Sequence, residues 1–436
     1  PPRTFSSAAS DVYKRQTGFS QISKVHYIPP LTNNKSLSGG SSIPLDQYMY
    51  LSTPSENNVT VTITPLNGDS PTTYNNLSNG NPIRYDIGTS WNGTNYTPSQ
   101  LFVDHETTGG NTALNAGFVV EADCPIYVSI RYNAGAQAGA LVSKGDASLG
   151  TNFRAGMMTN GTVQSANAHF TANSFFSVMA TQDNTIVSID LPNALIGETT
   201  LSNYNYQGPF TKVLQKHESM VLSLDFENTN ANNQGARNSL NGALIRSVDE
   251  DGTEDGTKPL VVNVGSASGS FSATGSGHDH GIDQIVGLDR VGHEYIFVRG
   301  NGQNLNDGGQ LETPLIISTK DNTHLYINGS TTATATIDAG DIWLATSDLW
   351  SSQNQGATMY IRTQDKNYPV YAYQGIAGNG DSEANQGMFF VPPISEDAND
   401  DVNNIPDIDF IGNDPYQEQA GVCLLYTSDA ADEKVR

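Results

Sequence analysis

One short sequence motif recurs three times along this chain, and it constrains the fold more than any other feature. The motif is Ser or Ala, then Thr, a short polar gap, Asn, and a run of alternating apolar residues. Its copies occupy residues 52–63, 180–189 and 318–327. Repetition at long intervals indicates that one structural unit has been multiplied along the chain. We therefore expect a tandem array of one β-rich unit, which is more typical of a binding or spacing protein than of a catalyst.

Two further anchors accompany the motif and define the expected unit boundaries. A Pro followed by an apolar run lies downstream of each copy, at Pro125, Pro259 and Pro369. Because Pro lacks a ladder donor, we expect each of them to open a strand or to lie on a sheet edge. A segment running from Asp to Gln closes the second and third copies, at 279–284 and 381–386. These marks predict three β units, at residues 17–152, 153–283 and 284–394.

The apolar residues alternate with a period of two, which is typical of half-buried strands. The third unit has seven such segments separated by Asn, Asp and Gly turns. They are 295–298, 315–318, 325–328, 334–337, 342–345, 359–362 and 370–373. The prediction is an all-β fold of three tandem repeats, each resembling a β-sandwich or jelly roll. A closed pseudo-threefold β arrangement is the alternative, because closure would remove exposed strand edges.

The Asn residues of the motif have an expected backbone role. Asn tolerates the left-handed conformation better than most residues and favours turns. We expect this conformation just before the strand that follows each motif. The residues concerned are Asn57 or Asn58, Asn184 and Asn322.

Both ends of the chain differ in character from the rest. One DNA sequence, taken in its two orientations, can encode both 6–16 and 423–433. Both segments resemble a translated sequencing adapter, as found at the ends of assembled environmental DNA. We therefore expect 1–16 to be a disordered adapter-like scar and 423–436 to be a second scar. Residues 395–422 are acidic and interrupted by Pro, which indicates a linker and the start of a truncated next domain.

The chain is strongly acidic. It has 21 Lys and Arg against 45 Asp and Glu, for a formal net charge of −24 at pH 7. Because like charges repel at long range, such a chain is poorly suited to bind nucleic acid or an anionic membrane. It has no apolar run of about 18 residues, so the sequence predicts no membrane span. Abundant Gly, Asn, Ser and Thr with few Lys indicate an extracellular or cell-surface β protein.

The densest group of potential metal ligands lies at the end of the second unit. It consists of His278, Asp279, His280 and Asp283. On a strand, His278 and His280 would share a face, and two imidazoles with nearby carboxylates can hold a transition metal. The alternative is an inter-unit turn in which Asp279 and Gln284 bind backbone amides. The third unit lacks both His at the corresponding place, so these ligands are not part of the repeat.

An acidic loop in the second unit resembles part of a calcium-binding loop. Asp249, Asp251 and Asp255 offer carboxylates, and Gly252 suits the sharp turn that such a loop needs. The terminal bidentate Glu and the full loop pattern are missing. A solvated acidic loop is therefore the favoured alternative. We predict no cofactor, with calcium as the alternative.

Catalytic motifs are missing from the sequence, and we predict that the chain is not an enzyme. It contains no Gly-x-Ser-x-Gly elbow, no phosphate loop and no His-Glu-x-x-His. Cys124 is the one Cys outside the predicted scars, so no internal disulfide is expected, and a small buried side chain is its usual role. Five aromatic residues of the third unit could line a sugar-binding face, although core packing is the commoner use. They are Trp343, Trp350, Tyr360, Tyr371 and Tyr373.

Four segments of the chain resemble one known family. They are 281–297, 318–323, 369–374 and 382–393, and they are similar to the N-terminal domain of IgGFc-binding protein. The resemblance extends over about 24–412, and the same pattern is common in large exported proteins of gliding-type Bacteroidota. It implies a secreted or surface β module without catalytic residues. It carries over no binding residue, so antibody binding is not predicted.

Two functional hypotheses follow. The first is a non-enzymatic extracellular module for adhesion, binding or spacing in a large bacterial surface protein. Its expected partner is a surface glycan or a protein. The second is a polysaccharide-active enzyme or its carbohydrate-binding accessory module, which would place two carboxylates together in a cleft.

Overall fold

The computed structural model has an all-β fold, as predicted. It describes residues 21–33, 43–93, 96–104, 110–134, 137–159, 173–199, 201–224, 234–252, 255–269, 271, 279–300, 312–352, 354, 356–376 and 387–394. Their regular structure is 25 β-strands, one short helix α1 (Gln234–Arg237) and three 3-10 turns at Gly145–Ser148, Leu288–Arg290 and Ser347–Leu349. The predicted scars, the linker at 395–422, the anchor at 381–386 and His278 lie outside the described residues.

The strands fall into three consecutive sets, which we call the first, second and third units. The first is β1 (Ser23–Ile28), β2 (Leu31–Asn33), β3 (Gln47–Ser52), β4 (Val59–Pro65), β5 (Thr72–Leu77), β6 (Ile83–Gly88), β7 (Phe102–Asp104), β8 (Phe118–Ala134) and β9 (Gln137–Val142). The second is β10 (Asn152–Arg154), β11 (Asn173–Ala180), β12 (Thr185–Asp190), β13 (Phe210–Leu214), β14 (Ser219–Ser223), β15 (Leu244–Val248), β16 (Leu260–Gly269) and β17 (Asp279–Ile285). The third is β18 (Glu294–Val298), β19 (Pro314–Ser318), β20 (Thr323–Ile327), β21 (Ala335–Ile337), β22 (Ile342–Leu344), β23 (Thr358–Arg362), β24 (Val370–Ile376) and β25 (Gly387–Phe390).

The second and third units share one strand order. Each has two four-stranded sheets. In the second unit they run β10-β15-β12-β13 and β14-β11-β16-β17, and in the third unit β18-β23-β20-β21 and β22-β19-β24-β25. Counted along the chain within a unit, both units therefore have the orders 1-6-3-4 and 5-2-7-8. The seven strands predicted for the third unit are all present, and β25 is an additional eighth.

The strands β2 and β7 form an additional parallel pair in the first unit. Apart from this pair, the first unit follows the same order with one modification. Its long strand β8 occupies the positions that the sixth and seventh strands occupy in the other two units. The first half pairs with β1 and β4, and the second half pairs with β3 and β9. Pro125 lies between these halves, where the strand passes from one sheet to the other, so the missing donor breaks no ladder. The prediction that Pro125 opens a strand is wrong, whereas Pro259 and Pro369 directly precede β16 and β24.

Two of the three motif Asn residues adopt the predicted left-handed backbone. Asn184 has a φ of 53° and Asn322 a φ of 56°. Neither Asn57 nor Asn58 has a positive φ. In the first copy, six positions separate Thr53 from the start of the next strand, against four in the other copies. The longer connection reverses the chain without a left-handed residue.

The hydrophobic cores continue across the unit boundaries. Phe175 and Ile282 of the second unit belong to the core of the first. Tyr371, Tyr373 and Phe390 of the third unit belong to the core of the second. The eighth strand of the second unit, β17, contacts both β9 and β25. The described units are therefore packed against each other. The unit boundaries and the closed threefold alternative stay predictions.

Candidate functional site

The structure separates the residues predicted to bind a transition metal. Side chains alternate between the two faces of a strand. In β17, His280, Ile282 and Gln284 face the first unit, where His280 lies against Tyr132. Asp283 is on the other face, so it and His280 do not converge on one point.

The surroundings of His280 are those of a packed core residue. Its Nδ1 lies 3.1 Å from the Tyr132 hydroxyl, and the two rings meet edge to face. Burial lowers the pKa of His280 to about 3, so the ring is neutral at pH 7. Among the described residues, no group of three or more His, Cys, Asp or Glu is arranged to hold a metal ion. Asp279 opens β17, and His278 lies outside the described residues.

Asp283 joins all three units. Its carboxylate forms an ion pair with Lys144 of the 143–150 connection, at 2.9 and 3.1 Å. It also accepts hydrogen bonds from the backbone N–H of Gln284 at 2.8 Å and of Phe390 in β25 at 2.9 Å. Both carboxylate oxygens are thus occupied by protein donors. A buried charge needs such partners, so the arrangement is that of a structural junction.

Gln284 completes this junction. Its side-chain oxygen accepts from the Lys144 N–H at 2.8 Å, and its nitrogen donates to the Tyr27 carbonyl at 2.9 Å and to Asn263 at 3.1 Å. Gln284 therefore binds backbone groups of the first unit, as the alternative expected, but it does so from strand β17 and not from a turn.

The carboxylates of the acidic loop do not form a common site either. Asp255 is held by Arg246 at 3.3 Å and by the Asn152 amide at 3.0 Å. Asp249 begins a turn in which its carbonyl accepts from the N–H of Gly252. Asp251 is exposed on that turn. The charge of Asp255 is thus already balanced by Arg246, which lowers its attraction for a calcium ion.

The third-unit aromatics are largely inside the protein. Tyr371 and Tyr373 are fully buried, and Trp350 is nearly so. The Tyr371 hydroxyl donates to the Val286 carbonyl at 2.9 Å, and the Tyr373 hydroxyl donates to the Arg154 carbonyl at 3.2 Å. They pack the third unit onto the second, so the expected sugar-binding face does not form from them. Tyr360 and Trp343 are partly buried, as is Cys124, which packs against the first core.

A depression on the first unit is the best candidate for a ligand site. It is shallow, with a volume of about 480 Å³, and it is largely open to solvent. Its walls come from the β4–β5, β6–β7 and β7–β8 connections. Polar lining residues include Asn67, Asp69 and Gln100, and the apolar ones include Ile87 and Val103. Its volume is within the range of small-ligand sites, and its lining is more polar than is usual for them.

A chain of hydrogen bonds holds the polar wall of the depression. The Tyr85 hydroxyl donates to the Gln100 side-chain oxygen at 3.1 Å. The Gln100 amide nitrogen donates to Asp69 Oδ2 at 2.7 Å, and the Asn67 amide donates to the same oxygen at 2.9 Å. These bonds from Gln100 and Asn67 lower the pKa of the exposed Asp69 carboxyl, so it stays charged.

Sequence reasoning did not identify this depression. The Asn67-Gly68-Asp69 segment between two alternating strands is recognisable as a turn. Nothing local indicates that Gln100, 31 residues further on, reaches Asp69.

The comparisons with known proteins give one match. A family model described as IgGFc binding protein matches residues 138–434, which is 297 of 436 residues. The match begins in β9 and includes the second and third units. No curated protein and no solved structure matches the chain significantly.

Proposed function

Because the chain belongs to the IgGFc binding protein family, we propose that it is an adhesive and spacing module on the outside of a bacterial cell. The family is one of binding domains rather than of known enzymes. The partner is a glycan or protein on another surface. Antibody is not the proposed ligand, because no binding residue of the family can be assigned to a position here.

The use of Asp283 supports this proposal most. Asp283 is buried, and its carboxylate pairs with Lys144 and accepts from the Phe390 N–H. Catalytic carboxylates instead lie in a cleft that a substrate can reach. Residues that sequence analysis singled out for chemistry therefore serve to join the units.

The carboxylates of the depression bear on the enzyme hypothesis. Glycoside hydrolysis uses two carboxyl groups on either side of the scissile bond. Among the described residues that line the depression, Asp69 is the one carboxylate. This composition favours binding over bond cleavage.

An extracellular location fits the family, whose domains are typically secreted or displayed on a surface. No helix in the described part of the chain is long and apolar enough to cross a membrane. The acidic surface suits a solvent-exposed module that must resist self-association.

The test is to immobilise the full chain and probe it with polysaccharides, purified surface proteins and whole cells. We expect saturable binding to at least one of these surfaces. Each bound polysaccharide is then incubated with the free chain, and new reducing ends are measured. Turnover would overturn the proposal in favour of the enzyme, and absence of any binding would leave spacing alone.

A further inference from the structure

We propose that the first-unit depression binds an uncharged sugar. The inference rests on the proposed binding function and adds the chemical class of the ligand and its place on the chain. It moves the expected glycan contact from the third unit, where the aromatics are buried, to the first.

The polar wall suits sugar hydroxyls, which both donate and accept hydrogen bonds. Within the described residues, the two side-chain hydrogen bonds that reach Asp69 both end on Oδ2. Oδ1 therefore remains available to accept from a ligand hydroxyl. A charged acceptor forms shorter and stronger hydrogen bonds than a neutral one. The exposed Asn115 amide adds a donor and an acceptor to the same wall.

The wall is also ordered before a ligand arrives. Gln100 is fixed at its oxygen by Tyr85 and at its nitrogen by Asp69. The Tyr85 ring packs edge to face against Phe118 in the core, with the ring centroids 6.1 Å apart. Because these rotamers are already set, binding loses less side-chain entropy than it would with free side chains.

The apolar part of the depression suits the C–H face of a sugar ring. Ile87, Val103 and Ala116 contribute this part, and all three are largely buried. Val103 and Ala116 also pack with Val221 of the second unit. Gly88 lies beside them with a φ of 109°, and no atom lies within 4 Å of where its Cβ would be. The depression is thus open at this point, and a side chain that would narrow it is disfavoured by the backbone conformation.

The charge of the depression favours a neutral ligand over a basic peptide. A site for a basic peptide would present several carboxylates. Among the described lining residues, Asp69 is the one carboxylate, and the other polar side chains are amides and hydroxyls. Binding of a neutral sugar should not change with salt, because no ion pair is screened.

The experiment measures binding of neutral mono- and disaccharides to the full chain by saturation-transfer NMR and calorimetry. Asp69→Ala removes the charged acceptor. Asn115→Trp introduces a bulky side chain among the lining residues and leaves the hydrogen-bonded residues of the polar wall unsubstituted. Asp348→Ala, an exposed Asp of the third unit, is the matched control for charge. Circular dichroism and thermal unfolding verify that each variant is folded.

We expect at least one sugar to bind with an affinity that is the same at low and physiological salt. Asp69→Ala should weaken it about tenfold or more, since hydrogen bonds to charged groups are the stronger ones. Asn115→Trp should abolish binding, and Asp348→Ala should leave it unchanged.

Two results would overturn the inference. One is sugar binding that survives both Asp69→Ala and Asn115→Trp, and the other is absence of binding by every neutral sugar tested. In either case, binding to any surface in the broader assay leaves the proposed adhesive function standing. A chain that binds no surface in that assay refutes the inference and the adhesive role, and leaves spacing alone.

Discussion

The hydroxyl of Thr181 donates a hydrogen bond of 2.7 Å to the carbonyl oxygen of Pro259. The same bond joins Thr53 to Pro125 at 3.0 Å and Thr319 to Pro369 at 2.5 Å. The Thr of the repeated motif and the downstream Pro are thus the two ends of one contact. In the second and third units, this hydrogen bond connects the turn after the second strand to the residue just before the seventh strand. The second and seventh strands are paired in the same sheet.

This contact predicts that Thr181→Val destabilises the protein. The substitution keeps the shape but leaves the Pro259 carbonyl with one partner fewer. We expect the free energy of unfolding to fall by about 1 kcal/mol, the usual value for one hydrogen bond. Urea unfolding measures the change. Thr181→Ser, which retains the hydroxyl, should recover most of the loss, and equal losses in both variants would contradict the role of the bond.

The Lys144–Asp283 pair predicts a larger effect. Removing one partner leaves a buried charge without compensation, which costs about 3–5 kcal/mol. Lys144→Met should therefore lower the free energy of unfolding by about this amount and make the 143–150 connection more sensitive to proteases. The exposed pair of Arg246 and Asp255 provides the comparison. Arg246→Met should cost no more than about 1 kcal/mol, and similar losses at both sites would refute the junction.

Close backbone packing between the second and third units predicts a steric effect at Gly242. A Cβ there would lie 1.9 Å from the Gly340 carbonyl oxygen, and the φ of Gly242 is 78°. Gly252 has a similar φ of 75° with no atom within 4 Å of its Cβ position. Gly252→Ala should cost about 1 kcal/mol for the left-handed backbone alone. Gly242→Ala should cost about 1–3 kcal/mol more because of overpacking.

Thermal and urea unfolding of the two Gly variants isolate that difference, since both carry the same backbone penalty. Equal stabilities would mean that the two units do not approach closely at this point.

The buried histidines predict that stability falls with acid. Burial lowers the pKa of His26 to about 4 and that of His280 to about 3, against an ordinary value of 6.5. As the pH drops below 6.5, these histidines therefore bind protons in the unfolded chain while they stay neutral in the folded protein. The free energy of unfolding consequently decreases progressively towards pH 4. For each ring the loss at pH 4 is about 3 kcal/mol.

Urea unfolding at several pH values between 7 and 4 measures this loss. His26 is bonded to Ser143 and the Ile126 carbonyl, with Asp146 as a nearby charge that opposes the shift. His280→Phe removes one titrating ring and should make the pH dependence shallower. An unchanged slope would mean that the ring is not buried as described.

Local sequence patterns were sufficient to predict the strands and part of the turn geometry. Alternation predicted seven strands of the third unit, and the left-handed turns at Asn184 and Asn322 followed from the tolerance of Asn for that conformation. The strand β25 was missed, because its run Met388, Phe389 and Phe390 is apolar without alternation. Such a run does not distinguish a strand covered on both faces from a connecting segment.

The contacts of individual side chains, in contrast, depend on how the units pack against each other. Period two places Tyr371 and Tyr373 on one face of β24, but it does not say that the second unit covers this face. Likewise Lys144 and Asp283 are 139 residues apart in sequence, and no local pattern connects them. Backbone conformation follows from interactions among near neighbours, so it can be inferred from the chain. Contacts between distant residues form only when the sheets stack. Because of this stacking, the aromatic residues predicted to bind sugar and the residues predicted to bind a metal form contacts between units instead. The open polar depression on the first unit likewise results from tertiary packing.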